Sequence, residues 1–234
     1  KDMRTAVERT YKCILNHELI GVFGDYDVDG ASSTALLARY FLSINKKIKT
    51  YIPDRQRDGY GPNNAAFKSL IDNGSKVIFT VDCGTLSFEP ISLAQKLNVD
   101  VIVLDHHQSD IKLPDACAIV NPNRYDDTSG LNYLCAAGVC FVFLVGLNKK
   151  LRDENWFSNN NIIEPNIINF LDLVSLGTVC DVVNLKNYNR YFVSKGMEVL
   201  YKRKNIGLSS IIDNSKINYS PKVEDLSYVI GPQL

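Results

Sequence analysis

Residues 25–30, Asp25-Tyr26-Asp27-Val28-Asp29-Gly30, put three carboxylates on alternate positions directly behind an apolar run, Leu19-Ile20-Gly21-Val22-Phe23. Like charges about 4–6 Å apart repel and raise one another's pKa unless a cation neutralises them. The chemistry open to such a group is to hold a divalent metal ion. A calcium-binding EF-hand is excluded. Asp25, Asp27, Asp29 and Gly30 fit its early positions, but its bidentate Glu would fall at Leu36, and a strand-like run precedes the loop where a helix should. The remaining alternative is a solvated acidic turn, because Asp-Gly pairs are common in turns.

Two more apolar runs end in groups of the same kind. Val77-Ile78-Phe79-Thr80-Val81 leads into Asp82-Cys83-Gly84, and Val101-Ile102-Val103-Leu104 leads into Asp105-His106-His107. Two of the three histidines are thus adjacent at a strand end, where a turn can aim both at one cavity. A lone buried His is more often a core residue, but this pair shares its position with several carboxylates. His17 has no such company and reads as a packing or surface residue. Asp181 follows the apolar segment Leu173-Val174-Ser175-Leu176-Gly177-Thr178-Val179-Cys180 and reads either as a helix cap or as a buried ligand.

The elements that must position these residues follow from periodicity. Runs 19–23, 48–52, 77–81 and 101–104 read as strands, with 118–120 a candidate fifth. Helical patterns separate them, from Ala31, over 63–72 and over 88–97. The alternation predicts an α/β fold, a doubly wound parallel sheet covered on both faces. Parallel strands point their carboxyl ends one way, so the polar groups converge on one rim, where such sheets bind ligands. Beyond about residue 130 a helix-rich C-terminal part is expected, over 133–148, 162–176 and 189–202, with 151–161 as a loop.

Composition sets the outer limits. The chain has 234 residues, 45% hydrophobic and 22% charged, enough for a large core without disulfides. Net charge is zero, so nucleic acid would have to be held by a local basic patch or by metal. The six cysteines form no CxxC pair and sit mostly among apolar residues, which points to a reducing compartment, the cytoplasm. Residues 1–20 lack a signal-peptide pattern. The longest apolar run, 134–147, is short of the roughly 20 residues that span a bilayer, so a soluble protein without a membrane partner is expected.

Taken together, Gly24-Asp25-Tyr26-Asp27-Val28-Asp29-Gly30, Val81-Asp82-Cys83-Gly84, Asp105-His106-His107 and Gly177-Thr178-Val179-Cys180-Asp181-Val182-Val183 resemble the four motifs of the DHH phosphoesterases. Pro53-Asp54-Arg55, Gly59-Tyr60-Gly61, Val120-Asn121-Pro122, 134–139 and Gly231-Pro232 are similar to the RecJ branch of single-strand-specific exonucleases. The likeness covers essentially the whole chain, which reads as one DHH domain over 1–234, the N-terminal catalytic core of a longer protein. It implies that Asp27, Asp29, Asp82, His106 and Asp181 ligate two divalent ions; Asp82, central in the motif order, is the candidate bridging carboxylate. Asp25, Asp105 and His107 would support them or face phosphate. Two positions depart from related patterns: Phe23 stands where pyrophosphatase relatives place a His ligand, and Gln233 where RecJ-like chains carry Arg.

Mostly oxygen ligands with one or two imidazoles suit Mn²⁺ or Mg²⁺ better than Zn²⁺, and the imidazoles favour Mn²⁺. Two such ions would permit hydrolysis of phosphodiesters, and the resemblance implies that it runs 5′ to 3′ on single-stranded DNA, in DNA repair and recombination. Arg55 would bind phosphate and Tyr60 stack on a base; a solvated Gly-rich turn is the alternative for that loop. A single-strand-binding protein and a helicase are the expected partners of a monomeric enzyme. The competing functions are a phosphodiesterase for short oligonucleotides or cyclic dinucleotides, and a non-catalytic metal-binding replication scaffold.

Overall fold

The computed structural model describes residues 1–57, 59, 61–215, 217 and 219–234. Five parallel strands, β1 (Leu19–Gly24), β2 (Ile48–Tyr51), β3 (Ser75–Val81), β4 (Asp100–Leu104) and β5 (Ala118–Val120), form a sheet in the order β2-β1-β3-β4-β5. The order reverses between β1 and β3, which makes that junction the topological switch point. The doubly wound α/β architecture expected from the strand–helix alternation is therefore the one observed.

Strand side chains alternate between two cores. Ile20, Val22, Val77, Phe79, Val81, Ile102, Leu104 and Val120 face α1 (Met3–Leu15), α2 (Val28–Ser43) and α5 (Ala136–Asp153). Phe23, Ile78, Val101, Val103 and Ile119 face α3 (Asn64–Asp72) and α4 (Phe88–Lys96). Each fully buried Phe or Ile contributes about 1.5–3 kcal/mol, so both faces of the inner strands are covered, while the edge strand β2 keeps Lys49 and Thr50 exposed.

Four further helices complete the first core: α6 (Trp156–Asn159), α7 (Leu171–Cys180), α8 (Asn187–Tyr201) and α9 (Ile206–Asn214). α2 and α7 run antiparallel. The Arg39 guanidinium on α2 donates twice to the buried Asp172 carboxylate on α7, at 3.0 and 3.1 Å. The opposite ends of the same two helices carry Asp29 and Asp181.

Three sequence expectations need correction. Residues 151–161 are not a loop: α5 continues to Asp153, and α6 follows because Trp156 and Phe157 are buried in the core. The helix expected from residue 162 begins only at Leu171, after a 3-10 turn over Ile167–Phe170. Pro165 disfavours helical backbone in the residue before it, and Asn166 accepts from the Ile168 amide at 3.1 Å to start the turn. α2 begins at Val28 and not near Ala31, which makes Asp27 its N-cap, accepting from the Gly30 amide at 2.9 Å. The helices α1 and α9 add to those read from the sequence.

Candidate metal centre

Strand register aligns the site. Gly24 pairs with Val81, Val81 with Leu104 and Leu104 with Val120. One residue further on, the Asp25 amide donates to the Val81 carbonyl at 3.2 Å, Asp82 to Leu104 at 3.1 Å, and Asp105 to Val120 at 3.1 Å. Asp25, Asp82, Asp105 and Asn121 thus form one row across the carboxyl ends of β1, β3, β4 and β5. All four are at most 2% exposed.

The row is completed by side chains from helices. Asp29 lies in the first turn of α2, 1% exposed, and accepts from the amides of Ala136 at 2.6 Å and Ala137 at 3.0 Å. These are N-terminal amides of α5 that have no partner inside their own helix. Cys135, the N-cap, makes no side-chain cap bond. Asp29 therefore caps α5 from another helix. The close approach needs small residues, since a Cβ on Gly177 would collide with Asp29 Oδ1 and lie 2.9 Å from the Ala137 Cβ. Asp181 is the C-cap residue of α7, so the two readings of that position are compatible.

Three groups of side chains each bring one ligand atom apiece to within 4.8 Å of one another: Asp82, His106 and His107; Asp29, His106 and Asp181; and Asp25, Asp27 and Asp82. His106 Nε2 lies 3.2 Å from Asp82 Oδ1, 3.7 Å from Asp181 Oδ2 and 3.9 Å from Asp29 Oδ2. Both Asp82 oxygens, His106 Nε2 and Asp181 Oδ2 are buried without a hydrogen-bond partner among the described residues. Buried polar atoms normally have partners, so four orphans converging on one point fit a bound cation. Asp82 also has φ 63°, left-handed backbone that favours Gly, Asn and Asp.

Asp105 is different in kind. Oδ2 accepts from the Thr85 amide at 3.1 Å and its hydroxyl at 2.6 Å. Oδ1 accepts from the amides of His106 at 2.7 Å and His107 at 3.2 Å, and pairs with His107 Nδ1 at 2.8 Å. With its oxygens so occupied, it orients the histidines. Asp25, by contrast, stands beside Asp27 and Asp82 as a third carboxylate within ligand reach.

The electrostatics separate the groups accordingly. Burial, then the Asp29 and Asp27 charges, drives the Asp82 carboxyl far upward; burial and Asp181 raise Asp29, against the two helix amides. Asp181 is raised to about 6 by burial and Asp27, and Asp25 is raised chiefly by burial. Burial also pushes Asp105 up, but bonds from His107 and Thr85 outweigh it and bring it down to about 2. Burial and the neighbouring His107 lower His106, which keeps it neutral, the form that ligates metal. The bond to Asp105 raises His107.

These shifts predict an inverted pH dependence for the metal-free protein. A carboxyl with a raised folded pKa binds more protons folded than unfolded, so stability falls as pH rises between the two values. For Asp181 that window runs from about 4, its unfolded value, to about 6, and Asp29 and Asp82 act in the same direction. Thermal melts in chelator should show a falling midpoint across this range, and saturating Mn²⁺ should abolish the fall. A flat profile in chelator would contradict the assignment of these shifts.

A cleft of about 550 Å³ adjoins the cluster, bordered by Pro62, Gly84, Leu86, His107 and Gln108. Arg55 follows the end of β2 and does not border this cleft; its guanidinium lies 5.5 Å over the Tyr26 ring. Tyr60, the expected base-stacking residue, lies outside the described residues. The place of a pyrophosphatase-type His is filled by packing: the Phe23 ring stacks on Tyr51 at 5.7 Å and contacts Phe67. Sequence reasoning missed the roles of Thr85, of Asn121 and of the α5 amides. The small residues Ala136, Ala137 and Gly138 at the head of an apolar helix were the available signal for the last.

The family model described as "DHH family, N-terminal domain" matches residues 19–178. The chain belongs to the DHH family. Among curated DHH relatives, the single-stranded-DNA-specific exonuclease RecJ of Bacillus subtilis is 35% identical over all of this chain and 28% of its own length. RecJ of Salmonella typhimurium is 37% identical over 98% of this chain and 40% of its own length. A solved structure of exonuclease RecJ bound to manganese superposes with TM-score 0.85 at 27% identity, over all of this chain and 56% of that one. The chain thus spans well under half the length of these curated relatives.

Proposed function

We propose that this DHH chain is the catalytic part of a metal-dependent phosphodiesterase, a 5′–3′ exonuclease on single-stranded DNA serving repair and recombination. The observation that carries the reading is the set of orphaned ligand atoms on Asp82, His106 and Asp181 at the sheet's switch point. Its likeness to proteins named single-stranded-DNA-specific exonucleases supports the substrate. Residues 1–234 form one DHH domain of a longer protein.

Asp27, Asp29, Asp82, His106 and Asp181 would hold two divalent ions, with Asp82 shared and Asp25 beside it. The oxygen-rich donor set fits Mn²⁺ or Mg²⁺, and its imidazoles favour Mn²⁺. Bound there, such ions supply an activated water and neutralise charge developing on the phosphate. Asp105 holds His107 by Nδ1, and the raised basicity of His107 lets it donate from Nε2 to a phosphate oxygen or the departing oxygen. Arg55 binds a flanking phosphate, and Tyr60 stacks on a base. Six free cysteines fit a cytoplasmic site of action. The chain works as a monomer, with a single-strand-binding protein and a helicase as partners that present single strands. No helix among the described residues is long and apolar enough to cross a membrane.

The test compares end-labelled single-stranded DNA, duplex DNA and dinucleotides in Mn²⁺. Mononucleotides should be released from the 5′ end of single strands, and Asp27→Ala should abolish release. Preference for dinucleotides would favour a short-oligonucleotide phosphodiesterase. No hydrolysis despite bound metal would favour a replication scaffold.

A further inference from the structure

Asn121 is fourth in the row of strand-end residues, fully buried, and the only amide among three carboxylates. Its Nδ2 donates to the Thr85 hydroxyl at 2.9 Å and to the His107 carbonyl at 2.8 Å. Its Oδ1 accepts from the Asn123 amide at 2.8 Å, and the Asn123 side chain donates in turn to the His106 carbonyl. These partners fix the direction of every bond. A backbone amide can only donate and a carbonyl can only accept, so the Asn121 oxygen must face Asn123 and its nitrogen must face His107. Its second N–H then meets Thr85 Oγ1 as acceptor, which leaves the Thr85 proton for Asp105 Oδ2. Asp105 is kept as an acceptor, and His107 Nδ1 must carry a proton to pair with it at 2.8 Å.

We infer that Asn121 is a positioning residue which, through Thr85 and Asp105, fixes His107 with Nδ1 protonated and Nε2 turned toward the substrate phosphate. Only an amide meets the requirement at this place. A carboxylate could not donate to the His107 carbonyl and would draw the Thr85 proton away from Asp105. An apolar side chain would leave that carbonyl and the Asn123 amide unpaired. The same chain of bonds ties the end of β5 to the loop after β3 and to both histidines, so one residue sets tautomer and ring orientation together. Orienting partners of this kind change rate more than affinity.

The inference rests on the proposed phosphodiester hydrolysis for its kinetic readout, and a second readout is independent of activity. Thr85→Val keeps shape and removes the hydroxyl, whereas Thr85→Ser keeps the hydroxyl; Asn121→Leu removes the amide. Thr85→Val and Asn121→Leu should lower kcat about 10- to 100-fold, with KM and Mn²⁺ affinity within about twofold, while Thr85→Ser retains most of the rate. In the metal-free protein, proton NMR should show a slowly exchanging His107 ring N–H, assigned by its loss in His107→Gln. With three histidines in the chain the spectrum is simple, and Asn121→Leu and Thr85→Val should each abolish that signal. Equal rates in Thr85→Val and Thr85→Ser would overturn the inference, as would a rate loss matched by lost Mn²⁺ affinity. If Asn121→Leu does not fold, the Thr85 pair decides. If the wild type hydrolyses no phosphodiester, the proposed function fails, and the ring N–H signal still decides the role of Asn121.

Discussion

Asp82→Asn is expected to make the metal-free protein more stable and the metal-loaded protein inactive. At neutral pH without a cation, the strongly raised carboxyl of Asp82 must take up a proton or endure repulsion from Asp29 and Asp27. Holding that proton costs 1.36 kcal/mol for each pH unit above an unfolded value of about 3.9, an upper bound of about 4 kcal/mol at pH 7. Relaxation and counterions reduce this, so a gain of about 1–3 kcal/mol is expected. Asn is nearly the same size and tolerates the left-handed backbone, φ 63°, that Asp82 occupies. The same change removes a carboxylate common to two of the three candidate ligand groups. Losing several kcal/mol of charge stabilisation corresponds to a drop of about 10³-fold or more in hydrolysis. Melts with chelator and with Mn²⁺, run beside the nuclease assay, check both halves. A mutant less stable than wild type in chelator, or one with more than about a tenth of its activity, would reject the central role of Asp82.

Arg39→Ala should be among the most destabilising single changes outside the acidic cluster. Asp172 is 1% exposed, and Arg39 supplies its two charged hydrogen bonds. Breaking a buried pair from one side costs about 3–5 kcal/mol because an uncompensated charge stays behind. The Arg39 side chain is 30% exposed, so water can enter where it was, and the lower end, about 3 kcal/mol, applies. For a chain of this size that is about 6–12 °C in Tm. Arg39→Leu combined with Asp172→Leu should recover most of the loss, since no buried charge is left behind; the Leu173 amide, which donates to Asp172 at 2.9 Å, keeps the recovery short of complete. The site should feel the single mutant as well. α2 and α7 are tied by this pair at one end and bring Asp29 and Asp181 together at the other, so Mn²⁺ affinity should fall several-fold. A cost below about 1 kcal/mol would mean that the pair behaves as a surface ion pair and does not clamp the helices.

Much of the site was legible because parallel strands impose direction. Three apolar runs each end in an acidic group, and strands of a parallel sheet must present those ends on one rim. Asp25, Asp82 and Asp105 could therefore be placed together before any distance was known. Phe23 was also readable, as an aromatic where another branch of the family needs an imidazole. Helix boundaries were less legible. The 151–161 segment reads as polar because Asn159, Asn160 and Asn161 dominate it, yet two buried aromatics, Trp156 and Phe157, decide its structure.

The roles of individual carboxylates were not legible, because identical side chains differ only in what surrounds them. Asp105 and Asp82 occupy equivalent positions on neighbouring strands, one fed by hydrogen-bond donors and the other denied them. Their carboxyls are consequently driven in opposite directions. The donors come from Thr85 and from the histidines themselves, and the arrangement is locked by Asn121 from a third strand. Asp29 likewise depends on amides of a helix more than a hundred residues away in sequence.

The sequence alone determined the sheet, the rim and the acidic and imidazole groups gathered there, since strand periodicity and side-chain chemistry are local properties of the chain. Tertiary structure alone decided which oxygens are left open for a cation and which are committed to orienting His107. Hydrogen-bond supply and burial depend on neighbours that only folding brings within 3 Å.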